Sequence, residues 1–199
     1  MKKLLVVVPF LLLLIGCGGG EKDYWPLSVG NVWEYQAQIT ITTPDTNFTN
    51  TDTLKIEITQ ETTLDNGKKV FESITSNGSS DTTYLEKTDD YLFSYENKAD
   101  TEPDTMLAFP LEEGKTWTVR KDSLFTETVK VLGKESVTVP AGTYDDCWKG
   151  MVITTGTTIA ETSYVWLAPD IGQVKMTMVE QDSSYKLEMK MELINVTIK

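Results

Sequence analysis

Carboxylates are the commonest side chains in this 199-residue chain that could do chemistry. Asp89-Asp90, Glu112-Glu113, Asp145-Asp146 and Glu161 are the candidates, and paired acids can serve glycoside hydrolysis or bind calcium. No stretch matches the D-x-[DN]-x-[DN]-G calcium loop, and adjacent residues on a strand point to opposite faces. These pairs, with Asp45-Thr46-Asn47 and Asn50-Thr51-Asp52, therefore read as solvated surface and turns. The chain has no histidine, which removes Ser-His-Asp and Cys-His catalysis, imidazole metal ligands and a His-based pH switch. It also lacks CxxC, G-x-x-x-x-G-K-[ST] and G-x-S-x-G, so no catalytic residue, metal site or cofactor is expected.

The most informative thiol is Cys17. Residues 1–20 read MKKLLVVVPFLLLLIGCGGG: Lys2 and Lys3, then twelve apolar residues from Leu4 to Ile15, then Gly16 and Cys17. Such a run is too short for a bilayer span of about 20 residues but suits the core of a secretory signal. Leu14-Ile15-Gly16-Cys17 resembles the lipobox of bacterial lipoproteins, whose cysteine is acylated before cleavage makes it residue one. The resemblance implies a signal peptide over 1–16, a lipidated Cys17 with a short tether over 17–23, and a folded domain over 24–199. Gly18, where an aspartate would resemble an inner-membrane retention signal, favours the outer membrane in a host with two membranes. The six-residue tether from Gly18 to Asp23 reaches at most about 20 Å, which keeps the domain close to the lipid.

Loss of Lys2 and Lys3 with the leader takes 18 basic residues to 16 against 30 acids, a formal charge of −14. Such a charge disfavours nucleic acid and anionic headgroups, so the expected membrane contact is through acyl chains on Cys17 alone. The one remaining cysteine, Cys147, cannot form an internal disulfide and reads as a small buried hydrophobe.

The elements that must position any site are strands. Trp33, Tyr35, Ala37, Ile39 and Ile41 alternate with polar residues, as do Leu54, Ile56 and Ile58, and Leu187, Met189, Met191 and Leu193. Period-two alternation marks half-buried strands, and 29 β-branched threonines support them. Turn chemistry punctuates the strands at Asp65-Asn66-Gly67, Ser76 to Ser80, Thr88-Asp89-Asp90, Pro140-Ala141-Gly142, Pro169-Asp170-Ile171-Gly172 and Gln181 to Ser184. The sequence predicts an all-β fold: an antiparallel meander of 10–12 strands forming a curved sheet, sandwich or partly open barrel. Composition agrees, since 24% charged and 40% hydrophobic residues are globular values.

A weak repeat divides the chain. Trp25-Pro26-Leu27-Ser28-Val29-Gly30-Asn31-Val32-Trp33 aligns with Phe109-Pro110-Leu111-Glu112-Glu113-Gly114-Lys115-Thr116-Trp117, giving similar halves at about 24–96 and 109–199 with the polar stretch 97–105 between them. Proline presets a turn, glycine permits positive φ, and tryptophan then enters a strand. Trp25, Trp33, Trp117, Trp148 and Trp166 read as plugs of a β core, with equivalent work for Trp33 and Trp117. Near the C-terminus, counting out from a turn at 181–184 places Met178 opposite Leu187, Met176 opposite Met189 and Val174 opposite Met191. This apolar face either fills the core or lines a groove for a flexible ligand, since methionine adapts its shape.

Trp25-Pro26-Leu27…Gly30…Trp33, Val139-Pro140-Ala141-Gly142-Thr143-Tyr144 and Trp166-Leu167-Ala168-Pro169-Asp170-Ile171-Gly172-Gln173-Val174-Lys175 together resemble a group of bacterial lipoproteins. That group shares an FPLxxGxxWxY-like opening, a VPAGTF-like turn and a WYAPxxGxVK-like segment; Tyr144 and Leu167 are mild departures. The resemblance implies location and a β-rich fold, not a reaction. Three readings follow. The first is a lipid-anchored, non-enzymatic envelope module that contacts a protein or polymer partner. The second is a carrier or sensor of a hydrophobic ligand with a Met-lined groove. The third is an enzyme acting on envelope carbohydrate.

Overall fold

The computed structural model describes residues 22–156, 160–181 and 184–199. The leader, Cys17 and most of the tether lie outside the described residues. Every regular element among those described is a β-strand: β1 Val32–Thr42, β2 Asn47–Thr63, β3 Lys69–Ser76, β4 Ser80–Lys87, β5 Tyr91–Tyr95, β6 Asp104–Ala108, β7 Thr116–Lys121, β8 Phe125–Val139, β9 Gly142–Gly156, β10 Ala160–Ala168, β11 Gly172–Gln181 and β12 Lys186–Thr197. All neighbours pair antiparallel in one sheet of order β6-β5-β4-β3-β2-β1-β12-β11-β10-β9-β8-β7. Two six-strand meanders thus meet where the first strand pairs with the last. The sheet curls into a nearly closed barrel, which settles the sequence reading on its partly open form.

The internal repeat is a repeat of hydrogen bonds. Gly30 N–H donates to Ile58 O at 2.7 Å, and Gly114 N–H donates to Val131 O at 2.9 Å. Their φ angles are 89° and 85°, a left-handed conformation that glycine adopts without steric cost. Asn31 N–H donates to Ser28 O and Lys115 N–H to Glu112 O, closing the same tight turn twice. Even the side chains correspond: Asn31 Nδ2 donates to Pro26 O at 3.1 Å, and Lys115 Nζ to Pro110 O at 3.0 Å. Each turn feeds the opening strand of its half, β1 or β7. The stretch 97–105, expected to separate the halves, is instead the β5–β6 connection with the start of β6; the true passage between halves is 109–115.

The two halves differ at their opening edges. β1 pairs with β12 along eleven residues, whereas its counterpart β7 has no backbone ladder to β6. Side chains span that seam: Trp117 Nε1 donates to Thr105 O at 3.1 Å, and Arg120 Nη1 lies 3.7 Å from Asp104 Oδ2 and 3.3 Å from Glu96 Oε1. β6 and β7 are only five and six residues long, so the exposed edges are short, as soluble sheets require.

The three motif segments converge at one end of the barrel and close it. Trp33, 3% exposed, donates its indole N–H to Ile171 O at 2.7 Å, and Tyr35 OH donates to Gln173 O at 2.9 Å. Asp23 N–H and Lys22 Nζ donate to the Asp170 carboxylate at 3.1 and 2.9 Å, pinning the N-terminal segment to the β10–β11 turn. That turn carries Asp170 at φ 62° and Gly172 at φ 96°. The β8–β9 hairpin folds under the barrel: Ala141, between Pro140 and Gly142, donates its N–H to Leu193 O at 3.0 Å. Cys147 is buried there, as its sequence context suggested. The paired acids expected on the surface at 89–90, 112–113 and 145–146 are exposed.

The C-terminal pairing differs from the sequence count. Met176 faces Met191, Met178 faces Met189 and Glu180 faces Leu187, because the β11 and β12 ladder ends at Gln181 opposite Lys186. The loop lies one residue later than expected, which slides the register by two and leaves every side chain on its expected face.

Candidate functional site

Side chains that lie directly opposite on neighbouring strands share a face, so the pairings trace rows around the inner wall. One row runs Val131, Gly150, Val165 and Met176, then Met191 and Ala37, from β8 round to β1. Two residues further along the strands, a second row runs Trp117, Val129, Val152 and Ser163, then Met178, Met189 and Ile39. A third row begins with Arg120 opposite Glu127 and Thr154.

The β7–β11 part of the first two rows lines a partly open cavity of about 230 Å³ with predominantly apolar walls. Trp25, Leu107 and Leu111 also line it, and so do Trp117, Trp148 and Glu127. The inward positions on β9 and β10 beside it carry the small residues Gly150 and Ser163. A Cβ at Gly150 would stand 3.1 Å from Val165 Cγ2. Met106 and Leu107 on β6 and Trp117 and Val119 on β7 all line the cavity, so it lies directly behind the seam.

Glu127 is the one carboxylate among the lining residues. Burial pushes its carboxyl above the usual range; Arg120 opposes this and Asp104 adds to it. Asp104 is raised the same way, by burial first, against Arg120 and with help from Glu96 and Asp100. Arg120 stands between the two carboxylates with its planar face on Phe125, 4.7 Å from the ring centroid. Its Nε is buried without a hydrogen-bond partner, and so is Nε1 of Trp25 in the cavity wall. Sequence reasoning missed this cluster, although one signal was present. Arg120 is the chain's single arginine among 18 basic residues.

The sequence-derived residues divide into two groups. Trp25, Trp117 and Trp148 are half-buried and line the cavity, whereas Trp33 is packed at the closed end. Trp33 and Trp117 are therefore equivalent in the repeat but not in task. Trp166 is buried, 7% exposed, on the face of β10 opposite Val165, where Nε1 donates to Glu135 Oε1 at 2.6 Å and the Lys149 and Lys175 ammoniums sit 4.9 and 5.6 Å from its ring. That hydrogen bond holds the Glu135 carboxyl below its ordinary range. Pro26, Gly30, Pro110, Gly114, Pro140, Gly142, Pro169 and Gly172 shape turns. Of the Met-face residues, Val174 is fully buried, Met176 lines the cavity, and Met178, Leu187, Met189 and Met191 are half-buried. Among the described residues no cluster of three or more Cys, Asp or Glu is placed to hold a metal.

Similar solved structures include two that align over most of the chain. A candidate lipoprotein from Parabacteroides distasonis aligns at TM-score 0.53 and 14% identity, over 88% of this chain and 99% of that one. A candidate exported protein with a YmcC-like fold from Bacteroides fragilis aligns at TM-score 0.49 and 15% identity, over 89% and 100%. The first likeness is one of fold. No curated protein matches the chain. Residues 94–193, from the end of β5 into β12 and so including most of the cavity wall, match the DUF3108-like family. The chain belongs to the DUF3108-like family.

Proposed function

We propose that this protein is a lipid-anchored lipoprotein of the cell envelope whose barrel is a non-enzymatic binding module for an apolar ligand. The cavity behind the β6–β7 seam carries this reading. A natural core is packed to about 0.75 of its volume and leaves few voids larger than a water molecule. A partly open space walled by Trp25, Trp117, Trp148, Val129 and Val165 keeps apolar side chains without close-packed partners and is suited to an apolar guest. The unpartnered Trp25 N–H and the Glu127 carboxyl offer few polar contacts, as orienting groups in such sites do.

Anchoring is supported by the lipobox-like end of the leader and by the similar fold of the Parabacteroides distasonis candidate lipoprotein. The described N-terminal segment leaves the closed end of the barrel at Lys22, five residues from Cys17. In a host with two membranes, the outer one is the expected destination. A carbohydrate-cleaving enzyme would present two carboxylates to one substrate. Here Glu127 lines the cavity and Asp104 does not.

Mass analysis of organic extracts from the purified protein tests the binding reading. A bound apolar molecule is expected, and Val152→Phe, which fills the cavity from its wall, should release it while the far-ultraviolet circular dichroism stays unchanged. A clean extract from the wild type would refute the reading. Cys17→Ser should move the protein out of the membrane pellet; full retention would refute the anchor.

A further inference from the structure

The cavity is smaller than the roughly 300–1,000 Å³ of ordinary small-molecule sites. Its wall does not end where the cavity does. Met176 lines the cavity and is followed on the same face by Met191 and Ala37. The row above continues into Met178, Met189 and Ile39. Ile39 is 36% exposed, and Phe48, opposite Ile41 on the next step along β1 and β2, is 57% exposed. The inner wall therefore carries an apolar belt two residue rows tall, from Trp117 on β7 to Ile39 on β1. Seven strands at a spacing of about 4.8 Å make it roughly 29 Å long, and two rows make it about 7 Å wide. The third row, with Arg120, Glu127 and Thr154, gives it a polar upper margin on the cavity side.

We infer that the ligand is a long unbranched hydrocarbon chain, such as the acyl chain of a lipid, seated partly in the cavity and partly along the methionine belt. This rests on the cavity reading and adds the class of molecule. The belt is long and narrow, which admits a single chain along its length but not a wide ring system. Its part beyond the cavity is built largely from half-buried methionines, whose unbranched thioethers adapt to a flexible guest in a way that branched side chains do not. A compact hydrophobe would fill the cavity and leave Met178, Met189 and Ile39 uncovered.

The test uses membranes that carry the full-length protein, incubated with palmitic acid bearing a photoreactive diazirine near its methyl end or, separately, beside its carboxyl. After irradiation, labelled peptides are mapped by mass spectrometry. The expected result is labelling of the cavity wall around Val152 and Val165 by one probe, and of the belt peptides of β11, β12 and β1 by the other. Met178→Gln with Met189→Gln should abolish labelling of the Ile39 peptide and keep it at Val152. Thr177→Gln, on the outer face of the same strand, should change neither. Labelling at Val152 without any on the belt would overturn the chain assignment and leave the cavity reading standing. No labelling at either place would overturn both. Unchanged Ile39 labelling in the double variant would also overturn the belt.

Discussion

Trp117 on β7 donates its indole N–H to the main-chain oxygen of Thr105 on β6 across 3.1 Å, at the one boundary of the barrel that no backbone ladder closes. In the other half of the repeat, the equivalent boundary between β12 and β1 is zipped from Val32–Thr197 to Thr42–Lys186. One architecture thus appears twice, once with a full ladder and once with side chains in its place. The cavity lies behind the second.

Replacing Trp117 with Phe tests what that contact does. The ring is retained and only the donor is lost, so the expected cost is about 1 kcal/mol, the net worth of one hydrogen bond. Hydrogen exchange should localise it. Amides of β6 and β7 are expected to exchange several-fold faster, while those of β1 and β12 do not change. A uniform rise over the whole sheet would mean that the seam is not a separate opening unit.

The repeat makes a prediction about glycine. Gly114 has φ 85° and open space around its missing Cβ, so Gly114→Ala should cost only the left-handed penalty, about 1–2 kcal/mol. Gly30 has φ 89°, but a Cβ there would also meet the Lys199 ammonium. That group ends a flexible side chain and can move away. Denaturant titration should therefore give Gly30→Ala a cost close to that of Gly114→Ala, and closer still in a Lys199→Ala background. A Gly30→Ala cost that stays far larger after Lys199 is removed would show that the two turns are not equivalent.

Glu127 gives a pH dependence. Its carboxyl is raised in the folded protein, so the native state binds a proton more readily than the unfolded chain does. Stability from this group is present below the ordinary carboxylate range and is lost as pH rises through the raised folded value. At neutral pH the charged form works against folding. Glu127→Gln is therefore expected to melt higher than wild type at pH 7, with the gap shrinking as pH falls towards about 4. Asp104 and Glu96 remain to pair with Arg120 in that variant. A lower melting temperature for Glu127→Gln at pH 7 would show that Arg120 needs this carboxylate more than the cavity wall resists it.

How far the sequence could reveal this molecule follows from what period two encodes. Alternation assigns faces, so Trp33, Tyr35 and Leu193 inside, and Met176 and Met189 on one wall, were legible. It does not encode register, which depends on loop length; one residue of error after Gln181 moved each methionine two places along its partner. Closure was also hidden. Nothing local distinguishes β7, which lacks a ladder to β6, from β1, which has one to β12, since both follow the same Pro-Leu…Gly…Trp turn. The cavity could be read only from omissions, Gly150 and Ser163 at inward positions, and omissions look like any small residue on a strand. Arg120 was the clearest missed sign. A lone arginine in a lysine-rich chain suits a partly exposed, multiply paired position, where its planar fork can meet two carboxylates at once.

Cys147 provides the last prediction. It is 0% exposed, its Sγ lies 3.3 Å from Tyr144 O, and its thiol is pushed up to about 11 by burial, with Asp145 and Asp146 adding to the effect. At pH 8 only about one molecule in a thousand would carry the reactive thiolate, and burial denies access to that fraction. With Cys17 acylated, the native protein should therefore show no thiol towards a maleimide or a disulfide reagent at that pH. Denaturant should release one. Unfolding returns the pKa to about 8.5 and exposes the sulfur, so the rate of labelling then follows opening of the β8–β9 corner under Leu193. Fast native labelling would show that this corner opens far more often than its packing implies, and that the closed end of the barrel is not the rigid floor beneath the cavity.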